Sequence, residues 1–330
     1  MLIAIVLFLC GIGLVLLGAD KLTEGAVGMA RHCHWGEWVI GLTVVAFGTS
    51  LPEWAIGMAA VTKACGELAL GNVVGSNIFN VLAIAGCSAL VRPILVSRST
   101  VKKDIPFALL ATIVLAIMSM DTWIDGASQN QLSRTDGILL LGYFAVFMGY
   151  TCASARNREK SSCTEAAKEI GAEVAMPYWK ISAFMLIGIV CLFVGAIFCV
   201  DSIQELAIRW GVGETWIGLT LLAFSTSLPE LATSVIAARK GCSAIAIGNV
   251  VGNNIFNIFL VLGLCATVSP IPANGLSVVD WGLMLLSMLS FWFFAYTKRG
   301  IERWEGAAML LLYGICLAYW NGQPWALSVF

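Results

Sequence analysis

The sequence predicts an all-α polytopic membrane protein of about ten transmembrane helices, arranged as two inverted five-helix repeats. Three observations predict it. The 330 residues are 59% hydrophobic and only 12% charged, whereas a soluble domain carries about 25% charged residues. The apolar residues fall into about ten blocks long enough to cross a bilayer. Finally, Gly41–Gly86 aligns with Gly218–Gly263 without a gap, with about 25 of about 46 positions identical. Two unrelated hydrophobic segments do not share that much.

The blocks run in order. Leu2–Ala30 comes first. It has no basic leader and no A-x-A cleavage site, so it reads as a retained helix rather than a signal peptide. Val39–Val61 carries AFGTSLPEWA, and Leu68–Val91 carries GNVVGSNIFN. Ile105–Met120 and Gly137–Cys152 complete a first repeat, residues 1–152. The one substantial polar stretch, 153–180, reads as a loop between halves. The second repeat, 181–330, holds Ile181–Ile208, Trp216–Ala238 with AFSTSLPELA, Ala244–Val268 with GNVVGNNIFN, Val278–Tyr296 and Glu305–Trp320. An odd number of helices per half makes the second half enter from the opposite side, an arrangement typical of secondary transporters.

Charge sets the orientation. Taken alternately, one set of loops holds Arg31; Arg92, Arg98, Lys102 and Lys103; Arg156, Arg158, Lys160, Lys168 and Lys180; Arg239 and Lys240; and Lys298, Arg299 and Arg303. The other set holds only Lys63, Arg134 and Arg209. The positive-inside rule puts the rich set, with the central loop, in the cytoplasm and both termini outside.

Two polar clusters recur at matching places in mid-block. Thr43, Thr49, Ser50 and Glu53 match Thr220, Thr226, Ser227 and Glu230. Asn72, Ser76, Asn77 and Asn80 match Asn249, Asn253, Asn254 and Asn257. An ionised side chain at the bilayer centre costs about 2.5–3.5 kcal/mol on insertion scales. No Lys or Arg lies near either glutamate in sequence, so the simplest partner is a cation from solution. The competing reading is a protonated glutamic acid hydrogen-bonded in a packing face. Pro52 removes a donor to Gly48 and Pro229 does the same to Ser225, so a helix break is expected at Gly48–Pro52 and at Ser225–Pro229. Broken backbone at that depth must line a polar cavity or lie buried in protein, where freed carbonyls add ligands. Carboxylate, amide, hydroxyl and carbonyl oxygens suit hard cations such as Ca²⁺ and Na⁺ rather than Zn²⁺ or copper.

Several other features read more simply. The 11 cysteines form no CxxC and serve as small apolar residues. His32-Cys33-His34 lacks two further metal ligands at plausible spacing. Gly71/Gly75 and Gly248/Gly252 are small-xxx-small pairs for close helix packing, and neither motif is a phosphate loop. Asp20, Glu24, Asp201 and Glu205 end the apolar part of each half's first helix, as interfacial helix ends or as an ion-funnelling vestibule. No basic patch with interleaved aromatics suggests nucleic acid. With no GxGD, HExxH or nucleophile–base pair, an enzyme is not expected. A passive channel is left open.

GLTVVAFGTSLPE with GNVVGSNIFN, and GLTLLAFSTSLPE with GNVVGNNIFN, resemble the two α-repeats of the cation/Ca²⁺ exchanger superfamily, in particular its bacterial sodium/calcium exchanger-like members. The resemblance extends along the whole chain. It implies an antiporter, without a cofactor, that extrudes Ca²⁺ from a bacterial inner membrane against inward Na⁺ or H⁺. It implies that Glu53 and Glu230 bind Ca²⁺ and that Thr49, Ser50, Thr226 and Ser227 add ligands. It implies that the Ala46 and Ala223 carbonyls, and Ser76, serve flanking Na⁺ sites, with Asn80 and Asn257 between the glutamates. The first helix of each half is expected to slide across the rest. Three positions depart from the family pattern. Asn stands at both 80 and 257, where many Na⁺-coupled members have one Asp, which leaves Na⁺ against H⁺ coupling open. Asn253 replaces Ser, and Ser225 replaces Gly.

Overall fold

The computed structural model describes residues 2–32, 36–63, 66–124, 126–158, 176–209, 224 and 226–321. Its helices are α1 (Leu2–His32), α2 (Glu37–Thr49), α3 (Leu51–Thr62), α4 (Gly66–Val91), α5 (Ile105–Met118) and α6 (Arg134–Arg158) in the first half. The second half has α7 (Tyr178–Arg209), α8 (Leu228–Arg239), α9 (Ser243–Val268), α10 (Val278–Thr297) and α11 (Arg303–Asn321). Six of them, α1, α4, α6, α7, α9 and α10, are long and apolar enough to cross a membrane. The pair α2–α3, bent by 44°, makes one further span. With α5, α8 and α11 the order follows the ten predicted blocks. The block expected at Trp216–Ala238 is described only over its second part, α8, because 210–223 lie outside the described residues.

Burial sorts the helices into layers. The apolar windows of α4 and α9 are 83% buried, while those of α1 and α7 are 28% buried. The centre is therefore the α4/α9 pair, and α1 and α7 pack on each other and against α2 and α8, with most of their surface exposed. At 31 and 32 residues, α1 and α7 extend about 46 Å at 1.5 Å per residue. That exceeds the ~30 Å hydrocarbon core and is accommodated by tilt.

Helices α1 and α7 run antiparallel in close contact. A methyl group at Gly195 would meet the Gly11 carbonyl and the Val15 nitrogen at 2.8 Å. One at Gly18 would meet the Leu192 nitrogen at 2.7 Å and the Gly188 carbonyl at 2.8 Å. Further along, Gly25 faces Met185 and Gly28 faces Ile181. Residue numbers rise on one helix as they fall on the other, so the two halves enter the membrane in opposite senses. The offset of 177 that relates Gly41 to Gly218 also converts the Gly11–Gly195 contact into the Gly188–Gly18 contact. One contact is thus seen twice across a pseudo-two-fold axis. Glycine is required here because only a bare Cα lets two backbones approach this closely.

The loops obey the same axis. β1 (Ile94–Leu95) pairs antiparallel with β4 (Gly300–Ile301), and β2 (Gln131–Leu132) with β3 (Ile271–Pro272). Each ribbon joins one loop from each half. The loops after α4 and α10, both rich in Lys and Arg, therefore share one end. The loops before α6 and after α9 share the other.

Gly188→Ala is expected to push α1 and α7 apart, an overpacking cost of about 1–3 kcal/mol. It should lower the apparent melting temperature of the detergent-solubilised protein. Gly13, whose added methyl would meet nothing within 4 Å, is the control, and Gly13→Ala should not lower it.

Candidate functional site

The predicted breaks occur, but on the serines. Ser50 (φ −78°, ψ 0°) ends α2, and Ser227 (φ −91°, ψ 6°) stands at the equivalent place before α8. Pro52 and Pro229 fall in the first turn of the next helix, where a missing N–H costs nothing. The proline effect therefore lies upstream: the Gly48 carbonyl has no donor four residues on. Gly48 itself packs rather than bends, since a methyl there would stand 3.0 Å from Ile189 Cδ1 of α7. Ser225 lies outside the described residues, as do Thr220 and Ala223. The Ala46 carbonyl accepts from the Ser50 N–H at 3.0 Å and from Thr49 Oγ1 at 3.3 Å.

Each break starts a new helix with a glutamate in its first turn, Glu53 in α3 and Glu230 in α8. There the helix dipole favours negative charge. Both side chains are 1% exposed. Each accepts from the Thr-Ser segment of the opposite half, Glu53 from both residues and Glu230 from the threonine. Glu53 Oε1 accepts from Ser227 Oγ at 3.5 Å and also bonds Thr226, while Thr49 bonds Glu230. Among the described residues, no Lys or Arg forms an ion pair with either carboxylate.

The crossing of α4 and α9 supplies the amides. Asn77 Nδ2 donates to the Asn254 carbonyl and Asn254 Nδ2 to the Asn77 carbonyl, both at 3.4 Å. Asn80 Nδ2 donates to Asn254 Oδ1 and Asn257 Nδ2 to Asn77 Oδ1, both at 3.2 Å. Every bond in this set has its two-fold mate. With their amide donors spent on Asn254 and Asn77, Asn80 and Asn257 keep their Oδ1 atoms buried without a partner, as do Glu53 and Glu230 their Oε2 atoms. Both helices widen into π-helical turns here, at Asn80–Ile84 and Phe256–Leu262, a distortion common at functional sites.

The positions beside this centre are not equivalent. Ser76 Oγ and both amide atoms of Asn72 are buried without a partner. Their repeat mates are fully bonded. Asn253 Oδ1 accepts from Ser50 Oγ at 3.0 Å, and Asn253 Nδ2 donates to Thr49 Oγ1 at 3.3 Å and to Asn249 Oδ1 at 3.4 Å. Asn249 Nδ2 donates to Ser234 Oγ at 2.9 Å and to the Glu230 carbonyl at 3.4 Å.

Asp20 and Glu24 are engaged rather than free. Lys240, just past α8, lies 2.7 Å from Asp20 Oδ1 and 3.3 Å from Glu24 Oε1, and Lys21 lies 2.9 Å from Glu24 Oε2. These pairs tie α1 to the helix that carries Glu230. The side chains of Asp201 and Glu205 lie outside the described residues. Sequence reasoning missed the Lys240 pairs, and only the repeat itself hinted at the reciprocal asparagines.

Buried carboxylate, amide and hydroxyl oxygens without donors make a cradle for a hard cation. Among the described residues no group of three His, Cys, Asp or Glu could hold a metal ion. A cation entering this centre would meet two acids and neutral oxygens. If the asparagines act as one unit, Asn77→Ala and Asn254→Ala should not add. The double variant should lose less stability than the sum of the singles, by about 0.5–3 kcal/mol in a double-mutant cycle.

A profile of the sodium/calcium exchanger protein family matches residues 3–153 and 180–320. The chain is 36% identical to the inner membrane protein YrbG of Escherichia coli over 97% of this chain and 98% of that one. It is 30% identical to the sodium/calcium exchanger MaX1 of Methanosarcina acetivorans over 93% and 95% respectively. Its structure resembles that of the sodium-calcium exchanger NCX_Mj soaked with Na⁺ and Ca²⁺, with a TM-score of 0.81, 30% identity and coverage of 96% and 98%.

Proposed function

The chain belongs to the sodium/calcium exchanger protein family, a family of transporters and not enzymes, and from this we propose that it exports Ca²⁺ in exchange for Na⁺ by alternating access. One observation carries the reading: two buried glutamates, one from each inverted half, form no ion pair with a Lys or Arg among the described residues. Two carboxylates balance one Ca²⁺ or two Na⁺, so either cargo neutralises the centre. Unneutralised, it would carry bare charge across hydrocarbon, at several kcal/mol per ion. The loaded site is therefore the one that rearranges, and that couples the two fluxes.

Glu53 and Glu230 bind the cation, with the free Oδ1 atoms of Asn80 and Asn257 and the hydroxyls of Thr49, Ser50, Thr226 and Ser227 completing the shell. The end that carries Arg92, Arg98, Lys102 and Lys103 faces the cytoplasm of an inner membrane, which leaves both termini outside. The close backbone contact at the α1/α7 glycines suits those helices to slide as a pair. A second reading, Ca²⁺/H⁺ exchange, is favoured by the asparagines at both 80 and 257: two protons neutralise the same two acids, and neither of these positions adds a third.

The test is ⁴⁵Ca²⁺ uptake into proteoliposomes loaded with Na⁺, with a pH gradient as the parallel arm. Outward Na⁺ should drive uptake that a protonophore does not abolish, and Glu53→Gln or Glu230→Gln should remove it. Uptake driven by the pH gradient alone would favour the second reading. If neither gradient drives uptake, Ca²⁺ antiport is wrong.

A further inference from the structure

The repeat predicts two equivalent flanks beside the carboxylate pair, and the structure has two unlike ones. Beside Glu53, Asn72 and Ser76 present buried polar atoms with no partner. Beside Glu230, the matching Asn249 and Asn253 are bonded throughout, to Thr49, Ser50, Ser234 and each other. Two sequence differences account for this. Asn253 replaces the short hydroxyl of Ser76 with an amide long enough to reach α2. Ser234 supplies a hydroxyl where its mate, Gly57, has none.

The chemistry of the amide matters more than its size. Nδ2 carries two hydrogens and partial positive charge. It directs them at Thr49 Oγ1 and Asn249 Oδ1, the oxygens that a cation on that flank would need. Each lone pair that accepts an N–H is lost to a metal ion. A cation entering there would have to break these bonds, and the Ser50 bond to Asn253 Oδ1, without water to replace them. On the other flank it would meet unpartnered oxygens, whose burial is costly until a cation arrives.

Building on the proposed cation exchange, we infer that Asn253 is a stoichiometry-determining residue: its amide stands in for a monovalent cation on the Glu230 flank, so that only the Asn72/Ser76 flank admits one. The protein then binds one monovalent ion fewer than its two-fold symmetry would provide, and moves one positive charge fewer per Ca²⁺.

The experiment exchanges the two residues between the repeats. Saturating ²²Na⁺ binding is counted on purified full-length wild type, Asn253→Ser and Ser76→Asn, and ⁴⁵Ca²⁺ uptake is measured on the same wild-type preparation. Asn253→Ser should gain one Na⁺ per chain and steepen the dependence of transport on Na⁺. Ser76→Asn should lose one Na⁺. Each variant carries the residue its repeat mate already has, and thermal melting confirms that both fold. A Na⁺ count unchanged in Asn253→Ser overturns the inference, as does a wild type that binds no Na⁺. Absence of wild-type Ca²⁺ uptake under either gradient bears instead on the exchange reading, because the ion counts are made without transport.

Discussion

Two carboxylates lie buried among apolar helices, with no lysine or arginine paired to them among the described residues, and the surrounding structure answers that constraint. Glu53 and Glu230 are tolerable there because each begins a helix, with the positive end of a dipole at its back. Each is also bonded from the opposite half, Glu53 by two hydroxyls and Glu230 by one. These groups soften the cost without cancelling the charge. What remains is a site whose stability depends on what enters it, which is the property a transporter needs and a structural core avoids.

The duplication turns one such helix start into a site. A single repeat would offer one glutamate, one Thr-Ser pair and one asparagine helix, all facing nothing. Inverting a second copy against the first makes each threonine the partner of the other copy's glutamate, with Ser227 added on Glu53. The asparagines of α4 and α9 close on one another through four two-fold-related bonds. Those bonds consume donors and leave acceptors, so the same contact that locks the two halves together leaves the Asn80 and Asn257 Oδ1 atoms without a partner. The glycines of α1 and α7 and the two loop ribbons repeat the symmetry at the periphery, where no chemistry depends on it.

How much the sequence could reveal varied with the kind of information. The spans and the inverted halves were legible because hydropathy and repeat identity report burial and duplication directly. The glutamates were legible because an unpaired acid in an apolar block is physically anomalous. The expected break spanned Gly48–Pro52, and the structure places it on Ser50, so that the helix restarts at Leu51 and the proline falls in its first turn, where it is harmless. Lys240 could not be tied to Asp20, because 220 residues separate them and nothing in local periodicity names a partner. The unlike flanks were half visible: the sequence displays Asn253 opposite Ser76, but which atoms the longer amide engages depends on the approach of α2 to α9. Ala223 and Ser225 lie outside the described residues and keep the standing the sequence gives them.

The central claim is that the two halves build one shared cation site and not two independent ones. Equilibrium Ca²⁺ binding to the purified protein tests it most directly, comparing wild type with Glu53→Gln, Glu230→Gln and the double variant. The account predicts one Ca²⁺ per chain. Either single substitution should weaken its binding by about 100-fold or more, the scale expected when one partner of a buried ionic contact is removed. The double variant should be little worse than either single one. Two Ca²⁺ per chain, or a single variant that keeps half of the bound Ca²⁺ at unchanged affinity, would contradict it.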